Sequence, residues 1–101
     1  MIYISSDHRG IELKNFLVNS LVTEGIGIVD LGPFETNQYD DYPDFAKLVA
    51  EKIQENFENM GVLICANGVG MSIAANKFDG IRAALSWNPK HAASSRNDDG
   101  T

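Results

Sequence analysis

The chain has 101 residues, enough for one small domain, and at 44% hydrophobic and 22% charged it has an ordinary globular composition. A formal net charge of −6 excludes the basic surface that nucleic acid or anionic membrane would need, while leaving room for a local cationic site that takes a small anion. A single cysteine cannot close an internal disulfide, no apolar run approaches the ~20 residues that cross a bilayer, and no secretory leader is visible, so a cytoplasmic location is expected.

Residues 1–5, MIYIS, are apolar and rich in β-formers and predict a buried strand. Over 10–25, Leu13, Phe16, Leu17 and Leu21 recur at helical spacing and Gly25 supplies a stop. IGIVDLG (26–32) predicts a second strand, and 33–43 a polar loop carrying aromatics. Phe45, Leu48, Val49 and Ile53 form the apolar stripe of a helix over 44–57, with Pro43 suited to its first turn. MGVLIC (60–65) shows little alternation, as expected of a strand covered on both faces.

GVGMSIAANK (68–77) predicts a short helix and IRAALS (81–86) a fourth strand. Asn88 as N-cap and Pro89 at the first helical position open a last helix. The final NDDGT reads as a loop. This βαβαβαβα order predicts one α/β domain over 1–101, a Rossmann-like three-layer sandwich built on a parallel sheet. A closing strand and a C-terminal helix are expected to be missing from it.

Ligands of such sheets sit beyond the C-terminal ends of the strands, which marks SDHRG, CANGVG and SWNPKH in advance. In CANGVG, Cys65 ends a strand, and Gly68 and Gly70 let the backbone turn and present N–H groups at a helix start, a setting for an oxyanion or phosphate oxygen. A thiol beside such donors can act as base or nucleophile; it can equally be a buried structural cysteine at a routine turn. In SDHRG, Asp7, His8 and Arg9 suit a polyhydroxy anion, and also suit an N-cap with surface charge. Asp41 and Tyr42 could fold over the same edge, Tyr42 stacking on a sugar, or could simply begin a helix. His91 reads as a solvated position, Trp87 as packing or interface, and the two histidines lie too far apart to suggest a zinc site with Cys65.

Taken in order and spacing, SDHRG, DYPD, VLICANGVGMSIAANK, GIRAAL and SSR resemble the type B ribose-5-phosphate isomerases, a sugar-phosphate isomerase family that includes the galactose-6-phosphate isomerase subunits. The resemblance covers nearly the whole chain and is most specific in GVGMSIAANK and GIRAA. It implies interconversion of ribose 5-phosphate and ribulose 5-phosphate with no metal or organic cofactor, on a sugar-phosphate ligand, in homodimers or homotetramers with shared active sites. Cys65 matches the proton-transferring cysteine. Asn67, Gly68, Val69, Gly70 and Ser72 match the anion cradle, Asp7 and His8 the substrate-contacting pair, and Tyr42 the tyrosine against the sugar. Arg9 and Arg96 are expected to help hold the phosphate.

Three departures matter. Ala66-Asn67 stands where the family carries Gly-Thr, whose threonine hydroxyl assists at the sugar oxygens; Asn67 is the expected catalytic stand-in, able to donate and accept but with a different reach. Asp98 and Asp99 stand where it carries a His-Asn pair whose histidine helps open the furanose ring, so either Asp98 serves as the ring-opening base or that step is slow, and Asp99 is an expected substrate contact. The family's further strand and helix, which carry phosphate-gripping arginines, have no counterpart in these residues; without them weak activity and an open sheet edge are expected. Two rivals remain: an isomerase for a six-carbon aldose phosphate, and a catalytically degenerate sugar-phosphate-binding subunit.

Overall fold

A computed structural model of the chain describes residues 1–34 and 42–101. Strand β1 (Ile2–Ser6) leads through a 3₁₀ turn at His8–Gly10 into helix α1 (Ile11–Thr23), followed by β2 (Ile28–Asp30) and α2 (Tyr42–Glu55). Then come β3 (Met60–Ile64), α3 (Val69–Ala75) and α4 (Pro89–Asp99). The strands form a parallel sheet in the order β2-β1-β3, with Ile2 opposite both Ile28 and Met60 and Ser6 opposite Ile64. Each pair of parallel strands needs a crossover, and α1 and α2 supply them. The fold is the expected Rossmann-like α/β arrangement.

Side-chain alternation along β3 separates the two helices. A Cβ on Gly61 would lie 2.6 Å from Val49 Cγ1, and Leu63 packs on the Ala46–Met71–Ala74 cluster, so this parity faces α2 and α3. Ile64 has the opposite parity and meets Gly10 at the head of α1, where an added Cβ would lie 2.7 Å from Ile64 Cγ2. Successive strand residues point to opposite faces, so α1 and α2 cover different sides of the sheet. Burial of Ile4, Val49 and Met71 contributes roughly 1.5–3 kcal/mol for each side chain. Ala46 and Ala50 are buried where α2 approaches closely; Leu48, placed in its apolar stripe by spacing, is exposed.

Helix α1 departs further from its periodicity. Leu13 and Phe16 are exposed, and the residues it buries are Ile11 and Lys14. Lys14 is rotated inward because Nζ pairs with Asp30 Oδ2 at 2.7 Å, donates to Asn15 Oδ1 at 3.1 Å, and lies 5.2 Å from the Phe34 ring centroid. A buried ion pair thus sets the roll of the helix.

The fourth strand expected at 81–86 does not form. The N–H of Ala83 donates to Asn76 Oδ1, its carbonyl accepts from Asn76 Nδ2, and the N–H of Ile81 donates to Phe78 O. These groups are engaged by α3 and its C-terminal turn, and among the described residues the outer edge of β3 has no ladder partner. The terminal stretch is also not a loop: α4 runs through Asp99 and closes on Gly100 in the left-handed region. Its start is as expected, with Asn88 Oδ1 accepting from the His91 N–H at 2.8 Å and Pro89 at the first position. No residue of α4 is buried. No described helix is long and apolar enough to cross a membrane.

Candidate active site

The C-terminal ends of β1 and β3 are tied together, the Asp7 N–H donating to Ile64 O at 3.0 Å. Beyond β3 the chain must turn sharply from strand to helix, and Gly68 does so at φ 80°. That left-handed conformation costs an L-residue about 1–2 kcal/mol, which glycine avoids. The turn aims the Gly68 N–H at Cys65 Sγ, 3.1 Å away. The sulfur accepts this bond, so its own proton, or the lone pair left when the proton departs, is free to face outward. Asn67 Oδ1 accepts from the Val69 N–H at 3.0 Å and locks the turn from the other side. The N–H groups of Gly70 and Met71 precede the first intrahelical bond, Ser72 N–H to Gly68 O at 3.0 Å.

A cavity of about 780 Å³ runs beside β3. Cys65, Asn67, Gly68 and Ser72 line it on the side of the turn, and Leu85, Ser86 and Arg96 also line it. Its lining holds two arginines, Arg82 and Arg96, and among the described residues no Asp, Glu or His. The rest of the lining is largely apolar, so in a chain of net charge −6 these two guanidinium groups are what an anion would meet there, by charge and by fork geometry. The Arg96 Nη1 donates to Thr101 O at 3.0 Å, which orients that side chain.

The other expected residues do not line this cavity, although Asp7 stands at the same sheet edge, its N–H on the carbonyl of Ile64 beside Cys65. Asp7 is buried, and its Oδ1 accepts from the N–H groups of Arg9 and Gly10 at 2.9 and 3.1 Å, so it caps the turn after β1. His8 is half-buried there, its Nδ1 fully buried without a protein partner, and Arg9 is exposed. None of the three lines the cavity. Val69 and Gly70 occupy the first turn of α3 without lining it. Asp98 and Asp99 are exposed on the last turn of α4, Asp98 Oδ2 accepting from Ser94 Oγ at 3.1 Å. The Tyr42 side chain, like Asp41, lies outside the described residues. Among the described residues no three of His, Cys, Asp and Glu gather closely enough to hold a metal ion.

Sequence reasoning passed over Arg82 and Leu85. The only signal for Arg82 is a charge inside an otherwise apolar stretch. Leu85 is legible only through Gly68, whose missing side chain leaves the space that Leu85 Cδ1 occupies. Gly68→Ala is therefore expected to lower stability by about 1–2 kcal/mol from backbone strain, with Leu85 also displaced. Chemical denaturation measures the loss; an unchanged midpoint would mean that the turn tolerates a Cβ.

The sequence profile of the ribose/galactose isomerases matches residues 2–101. The chain belongs to that family. It is 48% identical over 98 residues to a probable ribose-5-phosphate isomerase B of Mycoplasma pneumoniae, which covers 97% of this chain and 64% of the relative. It is 42% identical over 95 residues to the Escherichia coli ribose-5-phosphate isomerase B, covering 94% and 63% of the two chains. The crystal structure of ribose-5-phosphate isomerase B from Mycoplasma genitalium with bound ribulose-5-phosphate superposes with a TM-score of 0.92 at 47% identity, over 97% of this chain and 65% of that one. This family member thus spans a little under two thirds of the length of these relatives.

Proposed function

We propose that the protein is an aldose–ketose isomerase that interconverts ribose 5-phosphate and ribulose 5-phosphate through an enediolate. The observation that carries this reading is the placement of Cys65 Sγ, held by the Gly68 N–H at 3.1 Å, in a cavity whose charged lining residues are arginines. The likeness to a family structure with bound ribulose-5-phosphate supports it.

Cys65, as thiolate, takes the proton from C2 of the open-chain aldose, whose acidity comes from the adjacent C1 carbonyl. Charge moves onto the carbonyl oxygen, and that oxyanion needs donors already in position; the turn amides around Gly68 to Ser72 and the Asn67 side chain are the candidates. Returning the proton to C1, while the O2 hydroxyl proton passes to the O1 oxyanion, completes the ketose, so the thiolate is regenerated and the atoms balance. Arg96 and Arg82 hold the phosphate, with His8 and Arg9 as further candidates from the end of β1. Tyr42 and Asp7 are assigned to the sugar.

The same reading places the protein in the cytoplasm, in the pentose phosphate pathway, as a homodimer or homotetramer. Exposed Leu13, Phe16, Ile73 and Trp87 are apolar surface that a second copy would cover.

One observation favours the degenerate sugar-phosphate-binding alternative. Asp98, assigned to ring opening in place of the family's histidine, stands off the cavity and is bonded to Ser94. Steady-state assays on ribose 5-phosphate and on a six-carbon aldose 6-phosphate decide among the three. The expected kcat/KM is higher for the five-carbon sugar by about tenfold or more, the scale on which a pocket rejects one extra carbon. Reversal of that order would select the six-carbon isomerase, and saturable binding without turnover would select the degenerate subunit.

A further inference from the structure

We infer that Asn76 is a positioning residue of the sugar-phosphate site, its side-chain amide standing in for a paired strand and fixing the cavity wall that runs from Ala83 to Ser86. The inference rests on the reading of the site given above. Asn76 is the C-cap of α3. Its Nδ2 donates to Ser72 O and to Ala83 O, both at 2.9 Å, and its Oδ1 accepts from the Ala83 N–H at 2.8 Å. Donating to and accepting from one residue makes the two-bond ring by which strands pair, and it fixes Ala83 in orientation as well as in position.

Ending a helix does not require this. The Asn76 backbone N–H already bonds Ser72 O and Ala74 O. The pair of hydrogen bonds to Ala83 reaches seven residues onward, into a segment that among the described residues pairs with no strand. That segment forms cavity wall: Leu85 fills the space beside Gly68, and Leu85 and Ser86 share the lining with Cys65. Ser86 Oγ in turn donates to the carbonyl of Asn88 at 3.2 Å, at the N-cap of α4, the helix that carries Arg96. Side-chain amide, wall and phosphate-binding helix are thus connected in series. The Ser72 bond holds the Asn76 amide in place before Ala83 is engaged, so little side-chain freedom remains to be lost on closing the ring.

Amide hydrogen exchange and steady-state kinetics on the full chain, on Asn76→Ala and on Asn76→Asp test this. In the unsubstituted chain the Ala83 amide should exchange on the order of 10²-fold more slowly than a free peptide. Asn76→Ala should lose that protection while the β1 and β3 ladder amides keep theirs. Because Cys65 and Gly68 are held independently, KM for ribose 5-phosphate should rise about tenfold with kcat changed by less than about threefold. Asn76→Asp keeps only the bond from the Ala83 N–H and should fall between the two. Free-peptide exchange at Ala83 in the unsubstituted chain overturns the inference whatever the variants do, as does an unchanged KM in a folded variant that has lost Ala83 protection. If the unsubstituted chain turns over no ribose 5-phosphate, the isomerase reading fails separately. Calorimetric binding of ribose 5-phosphate then replaces KM as the readout: a Kd raised about tenfold in Asn76→Ala supports the inference and an unchanged Kd overturns it.

Discussion

Cys65→Ala is expected to lower kcat for ribose 5-phosphate by about 10²–10⁴-fold, the range supplied by one positioned proton-transfer group. The fold should survive. Cys65 is only half-buried and packs at the margin of the Ala46–Met71–Ala74 cluster, so removing the sulfur costs about 1 kcal/mol, the scale of one methyl-sized group. Cys65→Ser is the sharper companion variant. A serine Oγ can still accept from the Gly68 N–H, so the turn keeps its shape, but a hydroxyl is almost never ionised near neutral pH and carries protons poorly without a base beside it. Both variants should remain near the same floor while circular dichroism stays unchanged. Turnover retained in the alanine variant would remove the base from Cys65.

Asp30→Ala is expected to be the most destabilising single change, costing about 3–5 kcal/mol. The side chain of Lys14 is fully buried, and Asp30 Oδ2 at 2.7 Å is its only carboxylate partner among the described residues. Without Asp30 the ammonium keeps only Asn15 Oδ1 and the Phe34 ring face, both neutral. The Gly32 N–H also loses its acceptor, Asp30 Oδ1 at 2.8 Å. The end of β2 loosens with it, because Gly32 O accepts from Ser5 Oγ and the Ser6 N–H beside it. Lys14→Met should cost no more than about half as much, since the carboxylate left behind is 19% exposed and keeps the Gly32 N–H. Urea denaturation of the two variants at one pH gives the order; equal losses, or a larger one for Lys14→Met, would contradict this account of α1.

The parts of the fold legible in the sequence were those decided by local chemistry. The strands at 2–6, 28–30 and 60–64 are short apolar runs bounded by turn residues, and α4 begins at an Asn-Pro pair that both caps and starts a helix. The turn after β3 was readable because a glycine at φ 80° is a backbone requirement that no other residue meets as cheaply. What depends on a distant partner was not readable. Periodicity put Leu13 and Phe16 toward the core of α1, but the Lys14–Asp30 pair, sixteen residues apart, turns the helix the other way. Residues 81–86 have the composition of a strand, yet among the described residues they pair with none, and the N–H and carbonyl of Ala83 are bonded by the Asn76 side chain instead. Asp7 and Asp98 look alike in sequence as carboxylates near a site; Asp7 stands at the sheet edge beside Cys65 with one oxygen capping a turn, and Asp98 bonds a serine on an exposed helix. That Arg82 and Arg96 share one lining, with no carboxylate in it among the described residues, depends on the fold and cannot be read from either residue's neighbours in sequence.

Alkylation of Cys65 in the presence and absence of ribose 5-phosphate tests the central claim most directly, because it is the chain's only thiol and needs no mutation. Iodoacetamide should abolish turnover in proportion to the sulfur modified, and saturating ribose 5-phosphate should slow the modification about tenfold or more, as a ligand covering the thiol must. A fully alkylated protein that turns over at the original rate, or a modification rate indifferent to the sugar phosphate, would contradict the placement of Cys65 against the reacting carbons.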